Sequence, residues 1–256
     1  MSELLFLGTG AADWHMEHKG DFFRRNSAAL LNGNMMLDCG RHIFDFAEYI
    51  GSEELYNNVS DILITHNHSD HFSPESVLKI AKKQKIRLGC TIAIMEKLGE
   101  NPNIEYFILK PYEEICMGEY KIIPLLANHD VVINEKDAAF HYIIKTPDEK
   151  TIFYGLDGAW FLRPSWKEMK KHKFDVMIFD ATVGDMDDWR IFEHNTIPML
   201  RFMIKEIKEK DMVKEGGRLI ASHLARTLHT THEETAQIFK ELDMLTAFDG
   251  MKILIS

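Results

Sequence analysis

Cysteine is scarce and unpatterned in this 256-residue chain. Cys39, Cys90 and Cys116 are odd in number and contain no C-x-x-C pair, which excludes a disulfide framework or a cysteine zinc site and leaves them as small core residues. Long apolar runs are missing too, so no membrane association is expected. The start, Met1-Ser2-Glu3-Leu4, has neither the basic region nor the apolar stretch of a secretory leader, and the reading is a cytoplasmic protein. Positive charge is in deficit: 30 Lys and Arg against 40 Asp and Glu give a net charge of −10, which argues against a nucleic-acid groove. Gly8-Thr9-Gly10 ends an apolar stretch but is not continued into Gly-x-Gly-x-x-Gly, so a dinucleotide fold is not supported. No linker-like segment divides the chain, and residues 1–256 read as one domain.

What is present is an apolar strand that ends in metal-binding side chains. Ile62-Leu63-Ile64-Thr65 runs directly into His66-Asn67-His68-Ser69-Asp70-His71. In extended backbone His66 and His68 project to the same side, and Asp70 and His71 follow at the turn. Imidazole and carboxylate together suit zinc, manganese or iron, and a loop this dense in donors can begin a two-ion site if further ligands arrive from elsewhere. Other polar residues also sit at the ends of apolar strands: Asp38, His129, Asp157, Asp180 and His223.

The remaining pattern reads as alternating strands and helices. Asn32-Gly33-Asn34 joins two strands as a hairpin, and Ser73-Pro74 caps a helix after the histidine run. A helix is expected over 42–50, another from Pro198 to Ile207, and a capping box at Thr230 or Thr231 with Glu233 or Glu234. Residues 218–221 read as the last central strand and 251–255 as an edge strand. The segment 13–25, with His15 and His18, reads as a surface loop, and the apolar helix face near 199–207 is either core or a homodimer interface.

His-x-His-x-Asp-His after an apolar strand resembles the signature of the metallo-β-lactamase superfamily, and the likeness extends from Gly8 to His223. The resemblance implies an α+β fold, an αβ/βα sandwich of two mixed sheets flanked by helices. It implies one ion on His66, His68 and His129, a second on Asp70, His71 and His223, and Asp157 bridging both. It gives Asp38 a supporting role behind the ligands and places Gly8-Thr9-Gly10 at the mouth of the site. Leu156, before the bridging aspartate, departs from the small or polar residue common in relatives and leaves the ligand intact.

Such a ligand set, with zinc, manganese or iron as the two divalent ions, leaves room for a bridging hydroxide, and hydrolysis is the natural reaction. Asp180-Ala-Thr and His194-Asn-Thr resemble elements of the phosphodiesterase branch, which includes the tRNA 3′-processing endonuclease and the cyclic phosphodiesterase of phosphonate breakdown. The resemblance makes Asp180 and His194 a general-acid pair, catalytic together with Asp70. The chain lacks the Gly- and Lys-rich arm of the tRNA-processing relatives, so a small cyclic or linear phosphodiester is expected rather than a long nucleic acid. Arg226, Thr227 and His229 are candidate substrate contacts. Two other readings stay open at this point: a lactone or thioester hydrolase on the same ions, and a metal- or nucleotide-binding protein without turnover. Antibiotic hydrolysis is least expected without a secretory leader.

Overall fold

A computed structural model describes residues 1–12, 21–129 and 134–256; His15, His18 and Asp130 lie outside the described residues. The first half contains β1 (Ser2–Gly8), β2 (Ala28–Leu31), β3 (Met35–Leu37), α1 (Ile43–Tyr49), β4 (Asp61–Leu63), α2 (Pro74–Ala81), β5 (Ile86–Cys90), α3 (Ile92–Leu98) and β6 (Ile104–Ile108). The second contains β7 (Ile115–Met117), β8 (Tyr120–Leu126), β9 (Phe140–Lys145), β10 (Thr151–Gly155), α4 (Arg163–Met169), β11 (Phe174–Asp180), α5 (Ile197–Glu209), β12 (Val213–Ser222), α6 (His232–Lys240), β13 (Met244–Thr246) and β14 (Lys252–Ile255).

The strands form two seven-stranded sheets, in the orders β14-β1-β2-β3-β4-β5-β6 and β13-β12-β11-β10-β9-β8-β7. In the first, pairing is antiparallel from β14 to β3 and parallel from β3 to β6. The second repeats the plan, antiparallel from β7 to β10 and parallel from β10 to β13. Each parallel step needs a crossover, and each has its helix: α1 to α3 in the first half, α4 to α6 in the second. The fold is therefore the expected sandwich of two mixed sheets with helices outside.

Hydrophobic patterning explains the layers. Leu37 and Leu63 face the second sheet and pack with Tyr142, Ile144, Ile178 and Ile220 in the central core. Ile62 and Ile64 face the other way, onto Val77 and Ile80 of α2. Phe153, Met177 and Phe179 turn outward in the second sheet to meet Leu200 and Ile204 of α5. Alternation along buried strands thus feeds both the inner and the outer layers.

Local chemistry sets the joints. Asn32 and Gly33 take φ of 52° and 71°, the paired left-handed conformation of a tight two-residue hairpin. Ser73 accepts from the Ser76 amide ahead of Pro74, and Thr231 with Glu234 forms the capping box of α6. Three differences from the sequence reading stand out. The last central strand begins five residues before Arg218, at Val213, its ladder with β11 absorbing a register shift between Phe174 and Val176. Helix α4, opening with Pro164 in its first turn, carried no readable apolar period. Cys116 is exposed on β7, whereas Cys39 and Cys90 are buried.

Candidate metal centre

The strands that lead to the polar strand-end residues of the sequence all end at one rim. β3, β4, β8, β10, β11 and β12 deliver Asp38, the His66–His71 loop, His129, Asp157, Asp180 and His223 from their carboxyl ends, the side on which α/β sheets hold ligands. Asp38, Asp157 and His223 have φ of 63°, 55° and 59°. Left-handed backbone at three non-glycine residues is strained, and here it turns each side chain back toward a common point. The ligand loop is clamped against the chain after β3. The Cys39 amide donates to the His71 carbonyl (2.8 Å), the Arg41 amide to that of Ser69 (3.0 Å), and the Ser73 amide to that of Cys39 (2.9 Å). Gly40 allows this approach, since a Cβ there would lie 1.8 Å from the Asp70 carbonyl oxygen.

Two groups of donors match the expected ligand sets, and two further groups, Asp157, Asp180, His194 and His223 on one side and His129, Glu193 and His194 on the other, overlap them. One ligand atom each from His66, His68 and His129 lie within 4.8 Å of one another, as do one each from Asp70, His71, Asp157 and His223. Asp157 connects the two groups: its Oδ2 lies 2.7 Å from His71 Nε2, 3.3 Å from His66 Nε2 and 3.8 Å from His129 Nε2, and its Oδ1 is 3.0 Å from His223 Nε2. Asp70 Oδ2 is 3.3 Å from His71 Nε2 and 3.7 Å from His223 Nε2.

These residues fit divalent ions. His66 Nε2 and Asp157 Oδ1 are buried without a hydrogen-bond partner. His71 Nε2 faces His223 Nε2 at 3.1 Å, and His129 Nε2 faces His68 Nδ1 at 3.1 Å. Lone pairs directed at one another, with orphaned acceptors between, call for a cation among them. Four carboxylates, Asp38, Asp70, Asp157 and Asp180, are also buried within this small volume and need compensating positive charge.

Behind the donors stand two matching supports. Asp38 Oδ2 is 2.8 Å from His71 Nδ1, and Asp38 Oδ1 accepts from the Thr65 amide (2.8 Å) and hydroxyl (2.9 Å). The Thr65 hydroxyl in turn meets His66 Nδ1 at 3.0 Å. On the other sheet, Asp180 Oδ1 accepts from the Thr182 and Asn195 amides, both at 3.0 Å, and Asp180 Oδ2 from the Thr182 hydroxyl at 3.0 Å. That hydroxyl lies 2.7 Å from His223 Nδ1. Neutral histidines that donate from Nδ1 into these supports leave Nε2 as the lone pair for an ion. His129 does the same with the Glu193 carbonyl, at 3.3 Å.

His194 is different. Its Nδ1 sits 2.7 Å from Asp180 Oδ2, 3.0 Å from the Thr182 hydroxyl and 3.4 Å from Asp157 Oδ1. Burial works to lower its pKa, but the Asp180 carboxylate, with Asp157 and Glu193 behind it, wins and lifts it to about 9. His66 shows the opposite outcome: burial and neighbouring His71 push it well below the ordinary range and keep its lone pair available.

Two of the three candidate substrate contacts, Arg226 and His229, have other neighbours. Arg226 Nη1 donates to the carbonyls of Phe23 (3.0 Å) and Arg24 (2.9 Å), and His229 Nε2 donates to the Ala181 carbonyl at 2.7 Å. Thr227 is exposed. Several residues were not marked by sequence. Thr65 and Thr182 read as strand and turn, although a threonine two residues after Asp180 was a usable signal. Tyr154, whose hydroxyl donates to Asp38 at 3.2 Å, and His141, 3.2 Å from the Asp157 carbonyl oxygen, gave none.

The family model described as the beta-lactamase superfamily domain matches residues 34–248. The chain belongs to this superfamily. No curated protein sequence matches it. Among solved structures, the metallo-beta-lactamase fold protein YhfI from Bacillus subtilis aligns with TM-score 0.73 and 14% identity over 99% of this chain and 100% of that one. Unliganded yeast PDE1 aligns at 0.67 and 12%, over 96% of each chain. The long form RNase Z from yeast aligns at 0.63 and 15%, over 98% of this chain but 41% of that one. At these identities the likeness is one of fold.

Proposed function

We propose that this superfamily member is a metal-dependent phosphodiesterase that hydrolyses a small cyclic or linear phosphodiester, with two divalent ions, zinc or manganese, as cofactors. His66, His68 and His129 hold one ion, Asp70, His71 and His223 the other, and Asp157 reaches both. Bound there, such ions activate water near neutral pH and offset charge on a phosphoryl oxygen.

The observation that carries the phosphodiester reading is the Asp180–His194 pair beside the ligand groups, 2.7 Å apart. A departing alkoxide is a poor leaving group and needs a proton as the P–O bond breaks. His194 keeps its proton past neutral pH because Asp180 stands on Nδ1, and Nε2 is the atom that gives it to the leaving oxygen. Thr182 and Asn195 fix the carboxylate, so the imidazolium is oriented before substrate arrives. The likeness to yeast PDE1 and yeast RNase Z, the second a ribonuclease by name, supports the same branch. Three unpaired cysteines suit the reducing cytoplasm.

The test is turnover of bis(p-nitrophenyl) phosphate by protein stripped with chelator and reloaded with zinc or manganese, beside a lactone and a thioester. Metal-dependent cleavage of the phosphodiester is the expected result. Turnover of the lactone or thioester alone contradicts the proposal.

A further inference from the structure

A cavity of about 480 Å³ is lined by residues that flank His194 in the chain, Phe192 and Thr196. Its walls include Trp160, Ile191, Phe192 and Met199, together with Asp185 and Asp187, both of them exposed. It joins the candidate centre through the backbone. The Trp160 amide donates to Asn195 Oδ1 (2.8 Å), and the Asn195 amide donates to Asp180 (3.0 Å). Asn128, which precedes His129, and Thr196 also line it. The size suits a small organic group, and Phe192 and Thr196 set the cavity against the segment that carries His194.

The lining also has a charge. Among the described residues no Lys or Arg contributes to the cavity wall, and no described salt bridge engages Asp185 or Asp187. The nearest cation in sequence, Arg190, pairs through two nitrogens with Asp188, at 2.7 and 2.8 Å. Two exposed aromatic residues belong to the same lining: Phe192 is 75% accessible, and Trp160, which meets Phe202 edge-on at 6.1 Å, is 44% accessible. Aromatic faces together with uncompensated carboxylates attract an organic cation and repel a second anionic group.

We propose that this cavity receives the leaving group of the phosphodiester, and that this group is a substituted ammonium alcohol of the choline type. The inference deepens the phosphodiesterase reading and rests on it for turnover, though not for binding. An anionic leaving group, such as a further nucleotide, meets two carboxylates and, among the described lining residues, no Lys or Arg.

Two esters that differ only in charge test it: methyl choline phosphate and its carbon isostere, methyl 3,3-dimethylbutyl phosphate, with release followed by phosphorus NMR on the metal-loaded protein. The expected result is a kcat/KM about tenfold or more in favour of the choline ester, falling to near parity in the Asp185→Asn, Asp187→Asn double variant. Equal rates in the wild type, or an advantage that survives in the double variant, overturn the proposal. Calorimetric titration with choline and with 3,3-dimethylbutan-1-ol reads the cavity independently. If bis(p-nitrophenyl) phosphate and both esters fail to turn over, the phosphodiesterase reading falls. Tighter binding of choline that the double variant abolishes still supports a cation site, and absence of that preference overturns it.

Discussion

Asp180 Oδ2 and His194 Nδ1 are 2.7 Å apart, and the carboxylate is wholly buried. A buried carboxylate on one nitrogen fixes which nitrogen is left for chemistry and how long the ring keeps its proton. Asp180→Asn is expected to lower the His194 pKa from about 9 toward neutrality. A general acid works below its pKa, so the alkaline limb of kcat for an alkyl phosphodiester moves to lower pH. At pH 8 the rate falls by about tenfold or more, within the range for general acid catalysis. A pH–rate profile of the two proteins checks this, and an unmoved limb contradicts it.

Thr182 connects Asp180 to His223, with 2.7 Å between its hydroxyl and His223 Nδ1. Thr182→Val keeps the shape and removes that bond. Loss of such a partner weakens metal affinity by about 10- to 100-fold. Chelator competition measures it, and unchanged affinity counts against the support assigned to Thr182.

His141 is buried with its pKa depressed to about 4, burial outweighing the Asp157 carbonyl that accepts from Nε2. The unfolded chain protonates this group near 6.5, so the unfolded state binds more protons between those values. The stability conferred by neutral His141 is present above pH 6.5 and is lost as pH falls toward 4, with a ceiling of about 3 kcal/mol. Urea titrations of metal-free protein across that window are expected to show the loss, and His141→Phe to reduce its slope.

How much of this was legible follows from where each residue lies. The donors stand at strand ends in polar contrast to the apolar strands before them, so the run from His66 to His71 stood out by itself, whereas His129, Asp157 and His223 became ligands only as a set that the family resemblance ordered. Thr65 could not be picked out, because threonine is an ordinary strand residue; Thr182 left a signal in its spacing from Asp180, but its partner His223 arrives from another strand. His141 sits inside β9, where alternation suggests only a buried face. Single strands were readable as apolar runs, and their assembly into two mixed sheets was what the family resemblance implied. Helix α4 was not, since its seven residues hold two cations and a proline and it buries little beyond Ser165 and Met169. The aromatic cavity arises from the 184–192 loop meeting Trp160, a tertiary contact with no period.

Gly40 packs where a side chain cannot. Gly40→Ala sets a Cβ against the Asp70 carbonyl, backbone that cannot yield without shifting the ligand loop. Overpacking of this kind costs about 1–3 kcal/mol, and the shift is expected to weaken metal binding as well. Thermal unfolding with and without added zinc tests both, and a variant with wild-type affinity contradicts the clamp.

The central claim is that His194 protonates the leaving oxygen of a phosphodiester. The direct measurement compares wild type and His194→Ala, both loaded with the same metal, on diesters whose leaving groups run from p-nitrophenol to a simple alkyl alcohol. The account predicts a small loss for p-nitrophenol, which departs without a proton, and a loss of about 10²–10⁴-fold for the alkyl alcohol. A uniform loss across the series would contradict it.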